Sequence, residues 1–249
     1  MQLIHENIGE ICARSLSGDI NIPLILLGKF SHTNVPISVD NGTGKSRKTI
    51  LISNSISSVQ QQQALIGFHA FTGNDYVSSF LRKTKKLWQT LVKDDEEMLE
   101  FFVALGVEQL TDDLHLQAER VVCRMYGEKK VDLVNELRSK MFWNRLRKNG
   151  KVIDLALLPP CSSSLRKHTI RANYISKIWK NATEPLQALD SFANNGWLED
   201  GSIDWIDCMY PDNLESFFSP SSNSEDLTTE EDCSEEIDYA DLSDIEDED

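Results

Sequence analysis

An α/β fold is predicted by three features of this sequence: β-rich segments in the first 60 residues, helical periodicity from about residue 78 onward, and an acidic end. A strand buried on both faces of a parallel sheet is an unbroken β-branched and aliphatic run. Ile20 to Leu27 has that composition, with Pro23 marking a strand start or a bulge. Val35 to Val39 and Lys48 to Ile52 are expected as two more strands, joined in a hairpin by Asp40-Asn41-Gly42-Thr43-Gly44. The polar run Gln60 to Gln63 leads into the apolar Ala64 to Phe71. From Ser78 the periodicity predicts a helix whose apolar face is Phe80, Leu81, Leu87, Trp88 and Leu91. Met98, Leu99, Phe101, Phe102 and Leu105 form a second stripe, closed by Gly106 as a C-cap. Asp113 to Tyr126, Asp132 to Arg147 and, after the Pro159-Pro160 break, Leu165 to Trp179 continue the helical pattern. Residues 185–215 are expected as a loop packed on the body through Trp197 and Trp205.

Charge is unevenly placed. The 249 residues carry 40 acidic and 25 basic side chains, a net of −15, but 14 of the acids and no base lie from Ser219 to Asp249. Residues 1–218 hold 26 acids against 25 bases, a net of −1, so the net charge of the whole chain is no objection to a polyanionic partner of the body. The Ser-rich, acidic end cannot bury enough apolar surface to fold and is expected to be disordered. The longest apolar run, Ile22 to Leu27, is far short of the roughly 20 residues of a membrane span, so no membrane partner is expected. His5 and Glu6 interrupt the N-terminal apolar stretch, which argues against a cleaved secretory signal. Five scattered cysteines (Cys12, Cys123, Cys161, Cys208, Cys233) suggest neither a disulfide framework nor a zinc cluster. An intracellular protein is expected, nuclear ahead of cytoplasmic.

Several motifs invite chemistry. Gly42-Thr43-Gly44-Lys45-Ser46 is similar to the end of a phosphate-binding loop, but Val39 stands at the preceding glycine position and a strand follows instead of a helix. A hairpin is expected there. Ser15 to Ile22 contains a Gly-Asp pair opening onto the aliphatic run, and His69 to Ser78 contains Gly73-Asn74-Asp75-Tyr76. A carboxylate at a parallel strand's end sits where α/β sheets place ligands. Taken singly, Asp19 reads as a strand-entry turn and Asp75 as an N-cap or Asx-turn.

Together the blocks resemble a widespread group of animal proteins of mobile-element ancestry. Its pattern runs S-x-S-G-D-x-D-I, G-T-G-K-x-R, H-A-F-T-G-C-D, then L-P-P-C with S-L-x-x-H-x-x-R-A-N-Y and I-W. Here the matching residues are Ser15 to Ile22, Gly42 to Arg47, His69 to Asp75, Leu158 to Cys161, Ser164-Leu165, His168, Arg171 to Tyr174 and Ile178-Trp179. That group in turn is similar, more distantly, to PIN-like nucleases of the flap-endonuclease type. The resemblance implies an incomplete PIN-like parallel sheet over residues 1–92, a mainly helical extension over 93–218, and the tail over 219–249. It also implies Mg²⁺ as cofactor, since carboxylates hold two divalent ions on either side of a scissile phosphodiester.

Asp19, Asn21 and Asp75 are the positions this resemblance assigns to the metals. Asn21 stands where a second acid is expected, and an E-A-D block with an earlier acidic strand would precede Met1. Two expected acids remain, too few charges for two ions, so a catalytically incomplete, nuclease-derived protein is expected rather than an enzyme. An active Mg²⁺-dependent nuclease is the first alternative.

Phosphate contact is expected from Arg82, Lys83, Lys85, Lys86 and Lys93, and from Arg145, Arg147 and Lys148 around Phe142 and Trp143. The partner would be DNA or RNA. The first cluster lacks the glycines of the G-K-G-K-K that the resemblance implies, and with them an easy positive φ. Solvated helix faces are the plainer reading of both clusters. Cys161 with His168 suggests a nucleophile and base, but a proline-stiffened loop docking a helix is the commoner arrangement. A second alternative is a protein-interaction module in which Leu227, Ile237, Tyr239, Leu242 and Ile245 of the acidic tail fold on a protein partner.

Overall fold

Ala64 to Phe71 is apolar on every side apart from His69, and a helix apolar all round belongs inside the protein. The computed structural model places it there. It describes residues 6–7, 10–11, 13–17, 20–32, 36–42, 44–53, 58–93, 96–107, 109–149, 154–187 and 190–204. The N-terminal elements are β1 (Glu6–Asn7), β2 (Glu10–Ile11), β3 (Ala13–Ser17), α1 (Asn21–Phe30), β4 (Ile37–Asn41) and β5 (Lys48–Leu51). There follow α2 (Val59–Phe71), α3 (Leu87–Lys93), α4 (Glu96–Ala104), α5 (Asp112–Met125), α6 (Val134–Asn149) and α7 (Ser162–Lys180). The class is mixed α/β, and residues 1–206 form one compact unit.

The sheet is mixed, not wholly parallel. Strand β3 pairs parallel with β4, Ser15 opposite Val39, and β4 pairs antiparallel with β5, Val39 opposite Ile50. The predicted hairpin is therefore present, Gly42 supplying φ +89° at its turn. Strands β1 and β2 pair separately.

Ile20 to Leu27 is not a strand. Ile20 is the N-cap of α1 and the rest falls within that helix, the crossover between the parallel strands. A short apolar run has no period that separates a buried strand from a buried helix. Pro23 is the third residue of α1, where the first four N–H groups have no intrahelical acceptor, so it costs no hydrogen bond.

Helix α2 starts at Ser58, whose hydroxyl accepts from the Gln61 N–H, and buries nine residues from Gln62 to Phe71. Around it Phe71, Phe101 and Phe102 are fully buried and meet edge-to-face, Phe71 and Phe101 at 5.1 Å between centroids. Leu165, Ala172 and Trp179 of α7 close the same core, which draws on residues from both sides of position 92.

The expected helix from Ser78 is present only as α3. Residues 72–86 are irregular and are organised by Asn74, whose Oδ1 accepts from the Tyr76 and Val77 N–H groups while its Nδ2 donates to the Ala70 carbonyl. Gly73 adopts φ +108°, and a Cβ there would stand 2.6 Å from Ser79 Cα, so glycine is required.

The later helices follow the predicted stripes. Gly106 ends α4 at φ +82°, its N–H donating to Asn173 Oδ1 at 2.6 Å. Thr111 caps α5 by accepting from the Leu114 N–H. Trp197 packs on Tyr174, centroids 5.8 Å apart, whereas Trp205 and the acidic tail lie outside the described residues. Among the described residues no helix is long and apolar enough to cross a membrane.

Candidate functional site

The parallel β3–α1–β4 unit brings the first residue of α1 beside the loop that follows α2. Asn21 Nδ2 donates to Asp75 Oδ2 at 3.2 Å, and Asn21 Oδ1 lies 2.8 Å from His69 Nε2. The structure thus joins two of the three residues assigned to a metal site, 54 positions apart in the chain. Asp19, the third, lies outside the described residues. Asn21 and His69 are buried and Asp75 is exposed, so the cluster opens outward through its carboxylate. The His69 ring stacks on Trp179 at 5.2 Å, which fixes its plane. Sequence reasoning did not assign His69 to the cluster, although it heads the block ending in Asp75. Nor is Asp75 the turn-forming residue, since Asn74 makes those bonds.

Of the three assigned residues, the two that the structure describes offer Mg²⁺ one carboxylate and one amide. The ion takes oxygen ligands and needs carboxylate charge. At Asp75 one carboxylate oxygen already meets an amide N–H, and the amide oxygen faces His69. Among the described residues no group of three or more His, Cys, Asp or Glu side chains could hold a metal ion.

The end of α2 is held by two more side chains. The Lys85 ammonium donates to the His69 carbonyl at 2.9 Å, to Thr72 Oγ1 at 2.7 Å and to the Gly73 carbonyl at 2.7 Å. Burial lowers its pKa to about 8. Lys85 therefore caps helix carbonyls. His168 is buried, with Nε2 donating to the Phe71 carbonyl at 2.8 Å and Nδ1 facing Ser78 Oγ at 3.5 Å. Burial depresses its pKa to about 4 against the raising effect of that carbonyl, with Arg171 adding to the depression.

The two basic segments meet across Tyr126. The Lys83 ammonium stands over the Tyr126 ring, 4.4 Å from its centroid. Burial lowers the Lys83 pKa, and the nearby Arg145 guanidinium lowers it further. Burial raises the Tyr126 pKa against the fields of Arg138 and Arg145. Arg82, Lys86 and Arg147 are exposed, and Trp143, 55% exposed, lies one helical turn before Arg147. The side chains of Lys93 and Lys148 lie outside the described part.

Arg82 adopts φ +58°, so the left-handed turn exists without the expected glycine. Arg82→Gly is expected to stabilise the chain by about 1 kcal/mol by removing the Cβ clash of that conformation. An unchanged or lower urea midpoint would contradict this.

Cys161 and His168 have separate partners. Burial alone would raise the Cys161 thiol pKa, but hydrogen bonds from the Ser163 and Ser164 hydroxyls and the Ser164 N–H, with Arg138 beyond, bring it down to about 7. Beside it, Ser162 Oγ donates to Glu119 and lies 3.0 Å from His115 Nε2. Glu119 also accepts from the Val134 N–H, so this buried network ties together the starts of α6 and α7 and the body of α5. In the hairpin, Asp40 is buried and binds Arg47 and Thr49 across β4 and β5, which fits a structural turn and not a phosphate loop. No family model, curated protein or solved structure matches the chain.

Proposed function

We propose that this is a nuclease-derived domain, of mobile-element ancestry, that contacts nucleic acid and does not hydrolyse it. The observation that carries the reading is the meeting of Lys83, Arg138 and Arg145 around Tyr126, which merges two basic segments more than 50 residues apart into one surface. Such a surface tracks a phosphate backbone, and an exposed aromatic such as Trp143 offers a stacking face to an unpaired base. The incomplete PIN-like identity rests on the sequence blocks and is supported by the β3–α1–β4 unit and by the Asn21–Asp75 pair at its end. Loss of hydrolysis is supported by the amide at position 21, which gives Asp75 a hydrogen-bond donor where a nuclease would offer a charged metal ligand.

Fluorescence anisotropy with a labelled single-stranded oligonucleotide tests this. Replacing Lys83 and Arg145 together by Met is expected to weaken binding by about tenfold and to flatten the slope of log affinity against log salt by about 1.4, two single-strand phosphate contacts. Asp75→Ala should leave the affinity unchanged. Mg²⁺-dependent cleavage abolished by Asp75→Ala would replace the reading with that of an active nuclease.

A further inference from the structure

At the end of α7 remote from Cys161 lies a second concave surface of about 550 Å³, within the size range of small-molecule sites. The 19 residues of α7 separate it by about 27 Å from the start of that helix, at 1.5 Å per residue. Gly28 and Lys29 of α1, Gln63 of α2, and Lys177, Lys180 and Asn181 at the end of α7 form its wall. The lining contains three ammonium groups, two amide side chains and no carboxylate.

The three lysines are not equivalent. Lys177 has its counter-charge in Asp190 at 2.6 Å. Lys180 is pinned by its bond to the Val103 carbonyl at 2.6 Å, so its ammonium is held at the wall and cannot swing into solvent. Lys29 lines the same cavity as Lys180, and among the described residues neither ammonium has an ion pair. Burial, and to a smaller extent the Lys29 charge, lower the Lys180 pKa to about 8. Two like charges held at one cavity, with no carboxylate among the described residues that line it, make an anion the complementary ligand.

From this arrangement we infer that the cavity binds the phosphate of a small phosphate monoester, with Lys29 and Lys180 on the dianion and Gln63 and Asn181 available to its ester portion. A dianion satisfies both ammoniums, whereas a single carboxylate leaves half of the charge unmatched. A concave wall at the far end of α7 suits a small molecule, and its lining shares no residue with Lys83, Tyr126, Arg138 and Arg145.

Isothermal titration of the full chain at fixed ionic strength, with inorganic phosphate, AMP and adenosine as probes, tests the assignment. Saturable binding of phosphate and AMP is expected, and none of adenosine. Tighter binding of AMP than of phosphate would identify a nucleotide as the natural source, and equal binding a free anion. Lys29→Met should weaken both by about tenfold, the loss of one charge-assisted contact. Lys29→Arg should retain them. The half-buried Lys29 is chosen because Lys180→Met would also strip the Val103 carbonyl of its donor. An unchanged thermal midpoint for ligand-free Lys29→Met secures that comparison. Absence of saturable phosphate and AMP binding, or wild-type affinity in Lys29→Met, overturns the proposal. So does a loss of oligonucleotide affinity in Lys29→Met, which would make the cavity part of the nucleic-acid surface.

Discussion

Replacing Gly67 by alanine is expected to destabilise the chain by roughly 3 kcal/mol or more, a large share of the about 5–15 kcal/mol that holds a domain of ordinary stability. Gly67 sits in the middle of the buried α2, and a Cβ there would enter the Phe102 carbonyl of α4, standing 3.0 Å from its carbon and 3.2 Å from Phe102 Cα. Both neighbours are backbone, so the obstacle cannot rotate away, and α2 and α4 must part. Helix propensity opposes this, because alanine in a helix is favoured over glycine by about 1 kcal/mol. The steric term is larger because separating the helices also loosens Phe71, Phe101 and Phe102. Gly127→Ala is the control: it has φ +84° and nothing within 4 Å, so only about 1 kcal/mol of backbone strain is expected. Urea denaturation of both variants checks the ranking. Gly67→Ala matching or exceeding the wild-type midpoint would show that the helices can slide apart freely.

Acid is expected to weaken the fold through His168. Its folded pKa of about 4 lies below the unfolded value of 6.5, so between these limits the unfolded chain binds a proton that the folded chain refuses. Stability is therefore fully present above about pH 6.5 and falls as pH drops toward 4. The window of about 2.5 pH units corresponds to roughly 3 kcal/mol. His115, whose pKa burial also lowers, adds a contribution of the same sign. His168→Gln is expected to lose stability at pH 7, because the bonds to the Phe71 carbonyl and Ser78 are disturbed, and to show a shallower decline below pH 6.5. Urea midpoints at pH 7.5, 6 and 5 measure the slope directly. A slope identical to wild type would move the acid sensitivity to another group.

The helical half was readable because its stripes are periodic. Met98, Leu99, Phe101, Phe102 and Leu105 repeat at helical spacing, and Gly106 ends α4 as a C-cap should. The N-terminal third was less readable. Ile20 to Leu27 has a strand's composition and a helix's fate, because an apolar run too short for a clear period takes whichever form its neighbours can bury. Ser78 to Leu91 shows the opposite error. Its apolar residues have helical spacing, but Arg82 stands at φ +58° inside it and Lys85 turns to the His69 and Gly73 carbonyls, so the segment is α-helical only from Leu87.

What the sequence determined on its own is local: which later segments are helical, the hairpin at Gly42, and the concentration of acidic residues after Ser219. Tertiary structure decided every pairing that depends on chain return. It set Asn21 against Asp75 and His69, turned the Lys85 ammonium inward, and brought Lys83 beside Arg145. Local preference acts over one or two turns of chain, whereas charge and hydrogen bonding act through space. A lysine's role as helix cap, phosphate contact or cavity wall is therefore settled only by what the fold places within a few ångströms of its ammonium.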